Sequence, residues 1–334
     1  MASAVTVLGA GSWGTALAIH LARLGHPVDL WGRSAALAGR LREAGEHPDS
    51  HPGVSFPKSL NPTSDLAEAV ARAEALIMSC PSHAMHGLAE QVRPLLNEHA
   101  LIVSTAKGIE QDTHRTMSAV LETVLPDHRS RVSVLSGPSF AREVARGMPT
   151  AVTAAASDLS VAEELQHLFN GPTLRVYTST DVVGVEIGGA VKNVIALAAG
   201  VSDGLGFGHN TRAALITRGL AEISRLAIEL GADPRTLYGL SCLGDLVLTC
   251  TGDLSRNRRV GLALARGEPL PSVLAALGHV AEGVYAARAA RALAQHHGVE
   301  MPIVEAVYRV LYEALPPRRA VEALLAREPK SESP

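Results

Sequence analysis

The run Gly9-Ala10-Gly11-Ser12-Trp13-Gly14 stands directly after a short apolar stretch, residues 5–8, and directly before an apolar helical stretch, residues 15–24. No other feature narrows the fold so far. In that setting a GxGxxG is the turn that joins a strand to a helix. Gly9 permits the tight reversal, Gly11 lets the backbone approach a pyrophosphate, and Gly14 lets helix and strand pack closely. The unpaired N–H groups at the helix start then form an anion site. Gly25 closes the helix, and residues 28–31 supply the next strand. Continuous apolar runs at 75–78, 101–103, 132–135 and 151–154 repeat the theme. Strands apolar throughout are buried on both faces, and their alternation with helices predicts a parallel, doubly wound Rossmann sheet. Residues 46–62, rich in Pro, His and Asp, read as a loop excursion within it.

The pattern changes after about Tyr177. Small apolar residues fill 185–199, a glycine-rich turn is expected over 200–208, and further helices are expected at 211–230, 254–266, 284–296, 303–312 and 319–327. Residues 328–334 read as a polar tail. The expectation is a dinucleotide-binding domain over residues 1–180 and a mostly α-helical domain, carrying substrate and catalysis, over residues 181–334. A chain of 334 residues, 47% of them hydrophobic, suits two cores.

Composition removes several function classes. The formal net charge is −3, which gives no reason to expect nucleic acid as a partner. Cys80, Cys242 and Cys250 form no CxxC pair, and the histidines form no HExxH. The expectation is therefore three buried thiols in a reducing cytoplasm and no bound metal. The start of the chain lacks a basic segment before its apolar run. No stretch of about 20 apolar residues escapes interruption by charge or glycine, so no integral membrane association is expected.

Polar residues in apolar surroundings mark the chemistry. Lys192 and Asn193 interrupt a helix of small apolar residues. A lysine there must snorkel, pair or serve a site, and burial would lower its pKa toward the range of proton transfer. Gly188 and Gly189, four and three residues earlier, would leave room for a ligand beside the ammonium. Ser255, Arg256 and Asn257 lie at an expected helix start, a credible phosphate site. Asp245 could orient a lysine or bind a substrate hydroxyl. Lys107 and the run 136–141 follow strands, at the edge where open α/β sheets bind ligands. After the second strand, Arg33 stands where an NAD-selective site usually carries an acid. A guanidinium there either takes a 2′-phosphate, favouring NADPH over NADH, or stacks on the adenine.

Seven blocks carry a resemblance: GAGSWGTALA, TAKGIE, LSGPSFARE, GGAVKNVIALAAG, NTRAALITRGLAE, LSCLGDLVLTCTG and SRNRRVG. In this order the chain resembles the NAD(P)-dependent glycerol-3-phosphate dehydrogenases over nearly its whole length. The resemblance implies a Rossmann domain, a helical domain and a homodimer. It implies interconversion of dihydroxyacetone phosphate and sn-glycerol 3-phosphate with NADPH or NADH, supplying phospholipid synthesis. It places Ser12, Trp13, Arg33, Lys107, Ala141, Arg256, Val280 and Glu282 on the cofactor, beside Gly9, Gly11 and Gly14. It makes Lys192 the proton donor and acceptor, aided by Lys107. It gives Gly137, Ser139, Asp245, Ser255, Arg256 and Asn257, with both lysines, to the substrate. A dehydrogenase of similar architecture acting on a β-hydroxy acid or ketopantoate would want a carboxylate clamp, which the 255–257 cluster could also form. A nucleotide-binding regulator without turnover fits the lysine helix poorly.

Overall fold

The computed structural model describes residues 2–277, 280–329 and 331–332. His279, which opens the run containing Val280 and Glu282, lies outside them, as do three residues of the expected polar tail, Lys330, Ser333 and Pro334. Eight strands form one sheet: β1 (Val5–Leu8), β2 (Val28–Trp31), β3 (Leu60–Thr63), β4 (Ala75–Met78), β5 (Leu101–Ser104), β6 (Val132–Ser136), β7 (Thr150–Ala156) and β8 (Leu174–Ser179). Their order is β3-β2-β1-β4-β5-β6-β7-β8. The winding reverses between β1 and β4, and a crevice opens at the carboxyl ends of the strands there. Helices α1 (Ser12–Arg23), α2 (Ala35–Ala44), α3 (Leu66–Ala71), α4 (Met85–Val92), α5 (Met117–Val124), α6 (Ala141–Ala145) and α7 (Leu159–Phe169) connect the strands. β1, β4 and β5 are buried at every residue, as their unbroken apolar runs require.

The sheet is only mostly parallel, which corrects the expectation. β7 runs antiparallel to β6, and β8 runs parallel to β7. A parallel return needs a crossover of a dozen or more residues, usually a full helix. Between β6 and β7 the chain forms only the five-residue α6, packed on α1, and re-enters the sheet from the edge it left. The expected excursion over 46–62 ends in a short edge strand, β3, whose pattern alternates buried and exposed residues.

The rest of the chain is helical: α8 (Val182–Gly204), α9 (His209–Glu229), α10 (Asp245–Thr251), α11 (Arg256–Ala265), α12 (Leu270–Leu277), α13 (Glu282–His296), α14 (Pro302–Tyr312) and α15 (Pro317–Leu325). α8 is the axis of this domain, contacted by α9, α10, α11, α13 and α14. By length and composition it could cross a membrane, yet it is mostly buried among the other helices. Its one buried acid short of the lysine, Glu186, accepts from the Ser118 N–H at 2.9 Å and from the Ser118 hydroxyl, tying α8 to the start of α5. Burial pushes the Glu186 carboxyl up, against the pull of those hydrogen bonds.

The glycine-rich turn expected over 200–208 is shorter than that, because α8 continues to Gly204. Gly200 and Gly204 lie where α11 comes closest. A Cβ on Gly200 would collide with the Arg258 carbonyl oxygen, and one on Gly261 of α11 would collide with the Leu197 carbonyl oxygen. Glycine is a poor helix former, and here backbone contact between two helices outweighs that preference. Gly261→Val should therefore destabilise the fold by about 1–3 kcal/mol or more. Gly39→Ala in α2, where a Cβ would meet nothing within 4 Å, should stabilise it by roughly 0.5–1 kcal/mol. Urea unfolding of both variants checks the opposite signs.

Candidate active site

The glycine turn leaves β1 at the switch point of the sheet. Gly9 has φ +129°, and a Cβ on it would meet the Ser79 carbonyl oxygen at 2.5 Å, at the end of β4. A Cβ on Gly14 would collide with the Gly9 carbonyl. Gly11 differs, with nothing within 4 Å of its Cβ position. It is the N-cap of α1, whose start has neither a side-chain cap nor an acid in the first turn. The indole N–H of Trp13 is buried without a hydrogen-bond partner among the described residues. Free amides, open space and no negative charge fit a dinucleotide pyrophosphate. Arg33, exposed after β2, makes no hydrogen bond or ion pair among the described residues. The next residue, Ser34, caps α2 by accepting from the Leu37 N–H at 3.2 Å.

Lys107 follows β5, and Lys192 lies on the face of α8 turned toward the sheet. Both meet Asp245, the first residue of α10, which follows a π turn over Leu240–Gly244. Lys107 Nζ donates to Asp245 Oδ2 at 2.6 Å and to the Gly137 carbonyl at 2.8 Å. Lys192 Nζ donates to Asp245 Oδ1 at 2.9 Å and to Thr249 Oγ1 at 2.7 Å. The Thr249 hydroxyl in turn donates to the Asp245 carbonyl at 2.6 Å. Burial pushes the Lys192 ammonium down to about 8. Asp245 pulls it back up, while the Lys107 charge adds to the lowering. Burial alone would raise the Asp245 carboxyl, but the two ammonium groups more than offset this and hold it below the ordinary carboxylate value.

The other anticipated residues fall into two groups. Gly137 takes φ +145° where a Cβ would press on Val152 of β7, and Ser139 Oγ donates to its carbonyl at 2.9 Å. Asn257 Nδ2 donates to Asn193 Oδ1 at 2.8 Å, and its Oδ1 accepts from the Gly283 N–H at 3.0 Å. Ser255 is the N-cap of α11, accepting from the Arg258 N–H at 3.2 Å, which leaves its own O–H as a donor. Arg256 is exposed with no side-chain partner among the described residues. Elsewhere on the rim, Glu282 accepts from the Ser82 hydroxyl at 2.7 Å and from the Ser82 N–H at 3.2 Å, beside Gly108. Val280 and Ala141 are half-buried.

Two readings need correction. The space over Gly188 is filled by Cys242, and that over Gly189 by Ser136 and Lys107. These glycines admit protein neighbours where a ligand was expected. Of the three thiols, Cys242 and Cys250 are buried and Cys80 is only half-buried. Sequence reasoning gave no role to Thr249, although its i+4 spacing from Asp245 puts both on one face of α10, nor to Asn193, which links Asn257 to the Lys107 carbonyl at 3.4 Å.

A dinucleotide turn at one strand end, and a lysine of weakened proton affinity beside its neighbours, are what a nicotinamide-dependent dehydrogenase requires, and the chain is of that class. The family models described as NAD-dependent glycerol-3-phosphate dehydrogenase N-terminus and C-terminus match residues 4–162 and 181–322. The chain is 54% identical over 333 residues to the glycerol-3-phosphate dehydrogenase (NAD(P)+) of Geobacter sulfurreducens, covering 99% of each. It is 53% identical over 328 residues to that of Anaeromyxobacter dehalogenans, covering 98% of this chain and 99% of the relative. The crystal structure of glycerol-3-phosphate dehydrogenase from Coxiella burnetii superposes with a TM-score of 0.93 at 41% identity, covering 98% of this chain and 99% of that one. The chain belongs to the NAD-dependent glycerol-3-phosphate dehydrogenase family.

Asp245→Asn would leave two ammonium groups facing each other with no countercharge. The variant should lose about 3–5 kcal/mol of stability at neutral pH, the usual effect of breaking a buried pair. Its Lys192 should lose its proton below the wild-type value of about 8, because Asp245 is what raises that value. Urea unfolding reads the first effect. The pH dependence of amine modification at Lys192 reads the second.

Proposed function

We propose that this chain reduces dihydroxyacetone phosphate to sn-glycerol 3-phosphate, with NADPH favoured over NADH, and so supplies glycerol 3-phosphate for phospholipid synthesis. The observation that carries the reading is the buried Lys107–Asp245–Lys192 cluster at the carboxyl edge of a dinucleotide sheet. A bound nicotinamide supplies the hydride. Lys192 gives the proton from its Nζ to the oxygen that becomes the alkoxide, and its lowered pKa matches that task near neutral pH. Lys107 adds positive potential where negative charge develops. Asp245 fixes both ammonium groups, and Thr249 orients Lys192. Arg256, without a side-chain partner among the described residues, and the free O–H of Ser255 suit the substrate phosphate, with Asn257 and Asn193 holding the wall behind them. Gly137 and Ser139 line the same edge. Gly9, Gly11, Ser12, Trp13 and Gly14 take the pyrophosphate side of the cofactor, while Ala141, Arg256, Val280 and Glu282 take its far side. The same reading divides the chain into residues 1–180 and 181–334, places it in the cytoplasm, and makes it a homodimer as the family resemblance implies.

The test is cofactor oxidation with dihydroxyacetone phosphate, compared with ketopantoate and unphosphorylated dihydroxyacetone. Lys192→Ala should keep cofactor binding and lose ~10²–10⁴-fold in kcat; an almost unchanged kcat would remove Lys192 from the reaction. The pH sign follows from the group that must carry the proton. Reduction needs the ammonium, so its rate should fall as pH rises through about 8. Oxidation of glycerol 3-phosphate needs the free amine and should rise through the same value. pH–rate profiles in both directions check the crossing.

Cofactor preference rests on Arg33, exposed and unpaired where an acid would select NADH. Arg33→Ala should raise KM for NADPH much more than for NADH. Equal effects on the two would assign the guanidinium to adenine stacking instead.

A further inference from the structure

The excursion between α2 and β3 has no part in the chemistry above, yet it sends two buried histidines under the glycine turn. His47 Nε2 lies 3.3 Å from the Ala10 carbonyl oxygen, and His51 Nε2 lies 2.7 Å from the Ser12 carbonyl oxygen. Carbonyls only accept, so both rings carry their proton on Nε2. The Ser50 N–H, donating to His47 Nδ1 at 3.3 Å, fixes that tautomer for His47 independently. The rings meet edge to face, with centroids 6.3 Å apart. His51 Nδ1 is buried with no partner among the described residues. Arg142 of α6 and Arg146, the residue after that helix, face His51, and Asp49 and Arg40 face His47. Burial, the main cause, lowers both imidazoles, so they stay neutral at physiological pH.

The two carbonyls flank Gly11, the one glycine of the turn with open space above it. In a trans peptide the C=O and the following N–H point in opposite directions. Holding the Ala10 carbonyl down on His47 therefore turns the Gly11 N–H up, and holding the Ser12 carbonyl on His51 does the same for the Trp13 N–H. Those positions, the N-cap and the second helical residue, have no intrahelical acceptor. We propose that His47 and His51 are positioning residues for the cofactor, two neutral donors that lock the Ala10–Gly11 and Ser12–Trp13 peptide planes so that their N–H groups face the pyrophosphate. This rests on the glycine turn being the dinucleotide site. It assigns a cofactor role to a segment that touches the turn only from below.

The experiment measures NADPH dissociation constants by fluorescence titration of the full chain, with thermal melts to establish folding. A glutamine amide nitrogen reaches as far as histidine Nε2, whereas an asparagine amide nitrogen stops at the Nδ1 position. His51→Asn should therefore weaken NADPH roughly 2–10-fold, the loss of one hydrogen bond, and His51→Gln should restore most of it. KM for dihydroxyacetone phosphate at saturating NADPH should move far less than the NADPH constant. Equal loss in both variants, or loss in neither, overturns the proposal. If the His51 variants do not fold, His47→Asn and His47→Gln make the same comparison at Ala10. Gly11→Val separates the two levels. If it binds NADPH like wild type, the turn is not the cofactor site. If it abolishes binding while His51→Asn is silent, only the positioning role fails.

Discussion

A single carboxylate between two ammonium groups holds the site together. Asp245 is buried, and its two oxygens reach Lys107 of the sheet domain at 2.6 Å and Lys192 of the helical domain at 2.9 Å. A lysine as buried as Lys192 would shed its proton well below neutrality if it stood alone. With Asp245 beside it and Lys107 opposing, it settles near 8. The same contact joins the two domains, so the proposed geometry of proton transfer and the seating of one domain on the other depend on the same few atoms. Glu186 on Ser118 and Glu282 on Ser82 repeat the connection on either side. Apolar packing joins the domains as well, with Val185 of α8 against Val134 and Ala155 of the sheet and Ile109 within the helical core.

Much of this was legible in the chain. Strands apolar on both faces announce themselves by unbroken runs, and a GxGxxG between such a run and a helix has one common structural meaning. Lys192 was conspicuous because nothing else on its helix could make it soluble. What escaped notice depended on partners distant in sequence. The direction of β7 is absent from its own residues, since 151–154 would read the same either way, and it is decided by how short α6 is. β3 includes Pro62, and at an edge a missing N–H harms no ladder, so a loop-like composition still pairs. Gly200 and Gly204 looked like a turn because glycine weakens helices, and only α11 explains them.

Glycine near the lysine illustrates the same limit. A small residue beside a charge can mean space for a ligand or space for the protein. At Gly188 and Gly189 the neighbours are Cys242, Ser136 and Lys107, and of these the Lys107 charge adds to the lowering of the Lys192 proton affinity. At Gly11 the space stays open. Sequence alone cannot tell the two apart, because the difference lies in what other segments bring.

The placement of α8 also bears on how the chain is made. The helices that cover it, α9, α10, α11, α13 and α14, all follow it in sequence, and α13 ends at His296. During synthesis the sheet domain can complete its core while α8, 23 residues long and mostly apolar, still waits for its neighbours. At ordinary translation rates of about 5–20 residues per second, that exposure lasts roughly 5–20 s. A nascent chain showing so greasy a helix for that long is a natural client for chaperones. The helix that carries Lys192 is therefore covered only once the segments that follow it have been made.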